Sequence, residues 1–500
     1  MEAAATASSG TYAPLWLTAN RFGMTSEKPN SGYLRAGIYW HKPLKRGWRI
    51  DAGLDLAGGV KQASDFWVQQ AYADISWKML TLSIGSKERM GFPLEKNSEL
   101  TSGWMAEGPN MRPIPQIRAE IKDFLAIPGT RNWLAFKGHL AYGMFTDGNW
   151  QEDFCGVNQA FAKKVMYHSK SLMFRLGNKE KLPLEFEFGL FMATQFGGDQ
   201  YRKQADGTSQ QTIDMPDGLK SYWHALFPTA GGEDTPEGEQ VNVEGNMLGS
   251  WNFALNYYFG DWKVRATLDH YFEDHSQMFW EYGRWKDGQL GIEVYLPKNK
   301  WVSAVLWEGI STKDASGPIL YDGFWGSFSD LQMSGGDDYY NHYIYQAWQH
   351  YGQGIGHPLI AGPAYNEDGT IRFRSNRMKA QHVGISGNPS EEWKWRVMAS
   401  YARHWGTYAH PLDKMRKQFS SMAEVTYLPQ WAKGWSLSAA LGLDRGNYLG
   451  NSTGGMITLR KTGGFGNEEM DLYNNCRNRN ALELRCKKAP INSDVEGFWI

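Results

Sequence analysis

Along several stretches of this chain every second residue is apolar and the residues between are polar or small. Trp48, Ile50, Ala52, Leu54 and Leu56 alternate with Arg49, Asp51, Gly53 and Asp55, and Leu184, Phe186, Phe188, Leu190 and Met192 alternate around Glu185 and Glu187. Trp251, Phe253, Leu255, Tyr257 and Phe259 repeat the pattern, as do Trp435, Leu437, Ala439, Leu441 and Leu443. A period of two belongs to a strand with one face in an apolar medium and the other among polar groups. The pattern predicts about eighteen strands, at roughly 2–8, 33–40, 48–56, 67–77, 80–87, 115–122, 132–145, 170–178, 184–196, 246–259, 262–272, 288–296, 301–310, 376–387, 392–403, 416–427, 435–444 and 455–465.

The connections between these strands alternate in length. Short ones fall near 41–47, 78–79, 123–131, 179–183, 260–261, 297–300, 388–391 and 428–434. The others are mostly longer, near 9–32, 57–66, 88–114, 146–169, 197–245, 273–287, 311–375, 404–415 and 445–454. Short periplasmic turns opposite long extracellular loops are the asymmetry of an outer-membrane barrel, and a soluble sandwich has no reason to sort its loops this way. Aromatics beside the short turns, in Trp77-Lys78, Phe259-Gly260-Asp261-Trp262, Pro297 to Trp301, Pro389 to Trp393 and Pro429 to Trp435, suit an interfacial girdle. The expected fold is all-β, a transmembrane antiparallel barrel of about eighteen strands over residues 1–465, with residues 466–500 as a basic tail outside it.

Composition agrees with that fold. Aromatic residues make 14% of 500 residues and 56 glycines accompany them, while no apolar run approaches the roughly 18 residues of a membrane helix. With 52 basic against 53 acidic residues there is no electrostatic footprint for nucleic acid. Three cysteines are too few for a disulfide scaffold; Cys476 and Cys486 can pair with each other or remain thiols, and Cys155 stands alone in a long loop. The opening MEAAATASSG lacks the basic and apolar regions of an export signal, so an outer-membrane location implies a processed or truncated start.

Several blocks resemble the Wzi-like capsule assembly family of Gram-negative outer-membrane proteins: TYAPLWLTANRFGM, NSGYLRAGI, MRPIPQIRAEIKDF, GHLAYGMFTDGNWQEDF, DHYFEDHSQMFWEYG and QHVGISGNP. The resemblance runs from about residue 11 to about residue 465 and contains no catalytic signature. It implies an eighteen-stranded barrel that attaches or organises capsular or exopolysaccharide at the cell surface in a lectin-like way, without a cofactor. The expected partners are the polysaccharide and outer-membrane lipid, with docking of capsule export components left open, and the barrel itself is expected to be a monomer. Two departures stand out: the periplasmic helical bundle of described members is not found ahead of the first strand, and the segment after Phe465 has no counterpart.

Glycan recognition needs aromatic faces to stack on sugar rings and planar polar groups to bind hydroxyls, so the long loops hold the candidates. Loop 311–375 offers Trp325, Asp337, Asp338, Tyr339, Tyr340, Tyr343 and Trp348, either as glycan contacts or as a plug of the lumen. Loop 273–287 adds Trp280, Tyr282 and Trp285. Asp269, His270, Glu273, Asp274 and His275 read as a polar cluster of the lumen or rim. Neighbours on an extended strand point to opposite faces, which argues against a triad of Asp274, His275 and Ser276, and no partner His at fixed spacing suggests a metal. The glycines of Gly352-Gln353-Gly354-Ile355-Gly356 neither follow a strand nor open a helix, so they are a loop bend and not a phosphate cradle. Binding without catalysis is the expected function, and a porin or sugar channel of the same architecture is the alternative.

Overall fold

The computed structural model describes residues 1–241, 243–273, 275–278, 286–315, 338–465 and 497–499. Eighteen antiparallel strands close on themselves. They are β1 (Glu2–Ser9), β2 (Gly32–Pro43), β3 (Trp48–Val60), β4 (Phe66–Trp77), β5 (Leu80–Ser86), β6 (Gln116–Ala126), β7 (Leu134–Met144), β8 (Met166–Leu176) and β9 (Leu184–Phe196). The other half of the wall comprises β10 (Asn246–Phe259), β11 (Trp262–Phe272), β12 (Gly288–Tyr295), β13 (Ala304–Ser311), β14 (Met378–Gly387), β15 (Trp393–Gly406), β16 (Pro411–Tyr427), β17 (Trp435–Gly446) and β18 (Ser452–Lys461). Each strand pairs with its neighbours in sequence, and β1 closes the ring on β18 with Glu2 opposite Arg460. Closure leaves no open edge, which a sheet in hydrocarbon requires because unpaired backbone groups find no water there.

The alternation resolves as an inside-out protein. Leu54, Ile75, Leu82, Ile117, Leu172, Phe186, Leu255, Ile292, Val383, Val397, Leu437 and Ile457 are all exposed on the outer face. Asp55, Asp74, Arg118, Lys137, Glu187, Arg265, Asp269, Glu308 and His382 are buried inside it. Both signs occur within the lumen, and they pair: Arg265 with Glu187 at 2.9 Å, Arg396 with Glu424 at 2.8 Å, and Arg35 with Asp55. Among the described residues no helix is long and apolar enough to cross a membrane.

Aromatics crowd the short-turn end. Phe259 stacks on Trp262 across the Gly260-Asp261 turn with ring centroids 5.7 Å apart, Trp393 meets Tyr427 at 4.6 Å, and Trp48 meets Trp77 at 6.4 Å. Phe124 points inward in phase with Arg118 and Glu120, beside a register shift between Ile121 and Leu125, and its ring lies under Lys137 at 4.7 Å and Arg175 at 5.0 Å.

Three of the connections expected to be long are tight. Strands continue past the apolar band at 57–60, 404–406 and 411–415, leaving gaps of 61–65 and 407–410, and the gap before β18 shortens to 447–451. Outside hydrocarbon, backbone pairing continues without an alternating pattern to announce it. Beyond β18, Gly464–Phe465 pairs with Gly497–Trp499, which in turn pairs with Tyr39–His41 of β2. The rest of the expected tail, with Cys476 and Cys486, lies outside the described residues. Cys155 is a buried free thiol.

Candidate functional site

The long-loop end is filled by protein. Loops 10–31, 87–115 and 338–377 turn into the barrel and pack on one another and on the wall. Their apolar residues, among them Leu15, Trp16, Leu17, Leu100, Met105, Met111, Trp348, Ile355, Leu359 and Phe373, form one buried cluster with the wall residues Phe191, Leu306 and Met422. Polar contacts lock the loops together: Asn20 Nδ2 donates to Ser102 O at 3.2 Å, Asn110 Nδ2 to Gly354 O at 3.0 Å, Gln353 Nε2 to Thr25 O at 2.8 Å, and Tyr340 OH to Met105 O at 2.7 Å.

Charges fix this plug to the wall. Lys96 meets Asp269 of β11 at 2.6 Å, Glu95 meets Lys137 of β7 at 2.7 Å, Glu88 meets Arg35 of β2 at 3.0 Å, and Arg21 meets Glu424 of β16 at 3.0 Å. Glu308 of β13 accepts from Thr101 Oγ1 at 2.7 Å and from the Ser102 N–H at 2.8 Å. Glu107 meets Arg118 of β6 at 2.9 Å and accepts from the hydroxyls of Tyr167 and Ser169. Burial pushes the Glu107 carboxyl up, but Arg118, His139 and those hydroxyls outweigh it and hold the group well below the usual carboxylate range. A low-dielectric lumen makes such paired contacts strong and their unpaired halves costly.

Above the plug, at the mouth, lies a groove of about 420 Å³. Its volume is within the range of small-ligand sites. Tyr12 from the first loop stands edge-on to Tyr365 with centroids 5.0 Å apart, and its hydroxyl donates to Tyr365 O at 2.8 Å. Tyr448, between β17 and β18, stacks on His404 of β15 at 3.7 Å and forms another wall. Glu367, Asp368, Arg374 and Arg416 supply charge around these rings, with Arg374 paired to Asp368. Burial raises the Asp368 carboxyl, but hydrogen bonds from Thr370 and the charge of Arg374 prevail and hold it below its ordinary value. Rings to stack on, a carboxylate to accept hydroxyl protons and a guanidinium to donate are the functional groups a carbohydrate site uses.

The residues singled out in the sequence divide. Tyr339, Tyr340 and Trp348 are buried in the plug and present no free face to a sugar: Tyr339 OH donates to Gln277 Oε1 at 2.9 Å, and Trp348 packs edge-on to Phe145 and Tyr167. Asp338 accepts from Arg372 and Asn341, both at 3.0 Å, and so braces the loop. Tyr343 is exposed and donates to Glu239 Oε1 at 2.9 Å. Asp269 is held by Lys96, Glu273 accepts from the Tyr340 N–H at 3.0 Å, and the ring nitrogens of His270 face the carbonyls of Asp287 and Gln277. These form a hydrogen-bonded rim with no convergence on a reacting centre, except that His270 lies on the outer face of the wall and not in the lumen. His275 opens a short helix, His275–Met278. Trp325, Asp337, Trp280, Tyr282, Trp285 and Asp274 lie outside the described residues, as do the side-chain contacts of His275. Among the described residues no cluster of His, Cys, Asp and Glu is arranged for a metal. Arg372 and Arg374 are in the plug loop, and Arg374 is exposed at the mouth.

The junction between loops 197–245 and 338–377 carries a titratable latch. Burial pushes the Glu239 carboxyl up to about 7, while it accepts from the Gly245 N–H at 2.6 Å and from Tyr343 OH. His342 at 3.6 Å gives it no charge partner, because burial takes the imidazole down to about 3. A carboxyl raised in the folded state stabilises most when protonated, so the latch is firmest below its unfolded pKa of 4.5 and weakens as pH rises towards 7. Exchange of the Gly245 amide should therefore speed up between pH 5 and pH 8 beyond its intrinsic rise. Glu239→Gln should remove that excess; an excess that survives in the variant rejects Glu239 as its source.

No family model matches the sequence, and no curated protein matches it. Among solved structures the chain is similar to Wzi of Escherichia coli, described as an outer membrane protein involved in group 1 capsule assembly and a carbohydrate-binding β-barrel. The two are 15% identical over 92% of this chain and 83% of that one, with a TM-score of 0.56. OccK5 and OprD of Pseudomonas aeruginosa are each 9% identical, over 92% of this chain and 95% and 93% of theirs, with TM-scores of 0.43 and 0.42. What the chain shares with Wzi is the fold of an outer-membrane β-barrel.

Proposed function

We propose that this protein binds or organises capsular or other extracellular polysaccharide at the surface of a Gram-negative cell, acting as a lectin and neither as a channel nor as an enzyme. The observation that carries the reading is the pairing of a lumen packed with interlocked loops and a groove of aromatic and charged residues at its mouth. A diffusion pore needs a lined polar pathway, and here the charges of the wall are paired with one another and with the plug. The similarity in fold to a carbohydrate-binding barrel points the same way.

Purified protein refolded into a planar bilayer should pass no steady current, and should retain capsular polysaccharide from the host strain when immobilised in nanodiscs. A large steady current, blocked or not by the polysaccharide, would replace this reading with that of a porin.

A further inference from the structure

The outward face of β9 is exposed at Leu184, Phe186 and Phe188, yet Met192, Thr194 and Phe196, which point the same way, are buried. Met192 packs with Met247, Phe272 and Met278, and the cover of the far end of the strand, at Phe196, is a helix from loop 197–245, Leu219–Leu226, laid on the outside of the barrel across β8 and β9. Tyr142 of β7 donates its hydroxyl to Tyr222 O at 2.8 Å, and the Tyr222 ring packs 5.1 Å from Phe196. Lys170 lies opposite the outward residues Leu140 and Met192 in the sheet, and its ammonium donates to the carbonyls of Ala225 and Leu226. A cation there complements the helix C-terminus, and tertiary contact supplies the stability that eight residues lack alone.

Among the described residues, nothing covers the other side of this helix. Leu219 is 89% exposed, Trp223 61% and Phe227 51%, and the last two rings touch at 4.8 Å. Spaced four residues apart, they form one apolar stripe. Roughly 9–11 residues of tilted strand cross the hydrocarbon, which brings the chain from Leu184 to about Thr194 at the outer headgroups, the level of the helix. Directly below, the exposed side chains of Leu140, Leu172 and Phe188 continue the lipid-facing belt.

We propose that Leu219, Trp223 and Phe227 are an in-plane lipid anchor, seated among the acyl chains of the outer leaflet just beneath the headgroups. Amphipathic helices with Trp, Phe and Leu on one face take that position. The anchor rests on the barrel fold and is independent of the polysaccharide reading. To test it, Leu219→Cys is labelled with a nitrobenzoxadiazole fluorophore, with Cys476 and Cys486 replaced by Ser. Cys155 is retained because it is buried, with its thiol pushed up to about 11, so it does not label in the folded protein. In phosphatidylcholine vesicles carrying bromine high on the acyl chains, the label should lose most of its emission to the lipid and resist aqueous iodide. The same label at Asp206, in the exposed hairpin of this loop, should behave in the opposite way. Iodide quenching at position 219 equal to that at 206 overturns the anchor. Shielding from both quenchers overturns it too, because it places a protein on the stripe.

Discussion

Arg118→Ala should open the barrel without unfolding it. The Arg118 side chain is buried between Glu107 of the plug and Glu120 of its own strand, at 2.9 and 2.7 Å. Truncation leaves both carboxylates in the lumen without their cation, and breaking a buried pair in this way costs about 3–5 kcal/mol. That cost falls on the seating of loop 87–115, since the wall is held by its own closed ladder of backbone bonds. The expected result is a barrel that keeps its heat-modifiable migration on a gel, is cleaved by added protease within 87–115, and passes current that the parent does not. Arg118→Lys should rescue only in part, because an ammonium cannot offer the forked geometry that spans two carboxylates. Protection and conductance indistinguishable from the parent would mean that apolar packing alone seats the plug.

Removing the two tyrosines at the mouth is the second large effect. Tyr12→Ala with Tyr365→Ala deletes the edge-on ring pair and the Tyr365 contact with Thr18, and leaves the wall and the charged plug anchors in place. Polysaccharide retention in nanodiscs should weaken by at least about tenfold, equivalent to roughly 1.4 kcal/mol. Tyr343→Ala, at the exposed ring on the Glu239 side of the same loop, should leave retention unchanged. The reverse outcome, with Tyr343 sensitive and the pair silent, would move the site to that side.

The wall was legible in the sequence because membrane and lumen impose opposite demands on alternate residues; eighteen segments carried that period, and each matches a strand. The plug was legible only as one of two readings of loop 311–375, and not for loops 10–31 and 87–115. Loops 10–31 and 87–115 have no repeat, and their anchors are single charges whose partners sit on remote strands, as Lys96 does with Asp269 and Arg21 with Glu424. Aromatic density in loop 338–377 signalled a role for Tyr339, Tyr340 and Trp348 but could not separate rings buried in a plug from rings offered to a sugar, since both uses favour the same residue types. The mouth groove was missed for another reason. Tyr12, Tyr365 and Tyr448 come from three loops far apart in sequence, so no local window contains the constellation. The helix over β9 was hidden because its pattern is inverted, with Leu219, Trp223 and Phe227 on the exposed side and Ser221 and Ala225 on the buried one, opposite to the surface helix of a soluble protein.

Loop 10–31 follows the first strand, yet its N–H at Leu15 is capped by Asp444 of β17 and its Arg21 by Glu424 of β16. Its home therefore does not exist until the last strands have rolled up beside the first. During assembly these residues must wait, tethered to β1, while some 400 residues of chain find their places. The entropy of closing so long a loop grows only logarithmically, but the search behind it is slow. Closing the ring and stoppering it thus become a single late event, so that a half-built barrel holds no finished plug and a finished barrel has passed through no long-lived open tube.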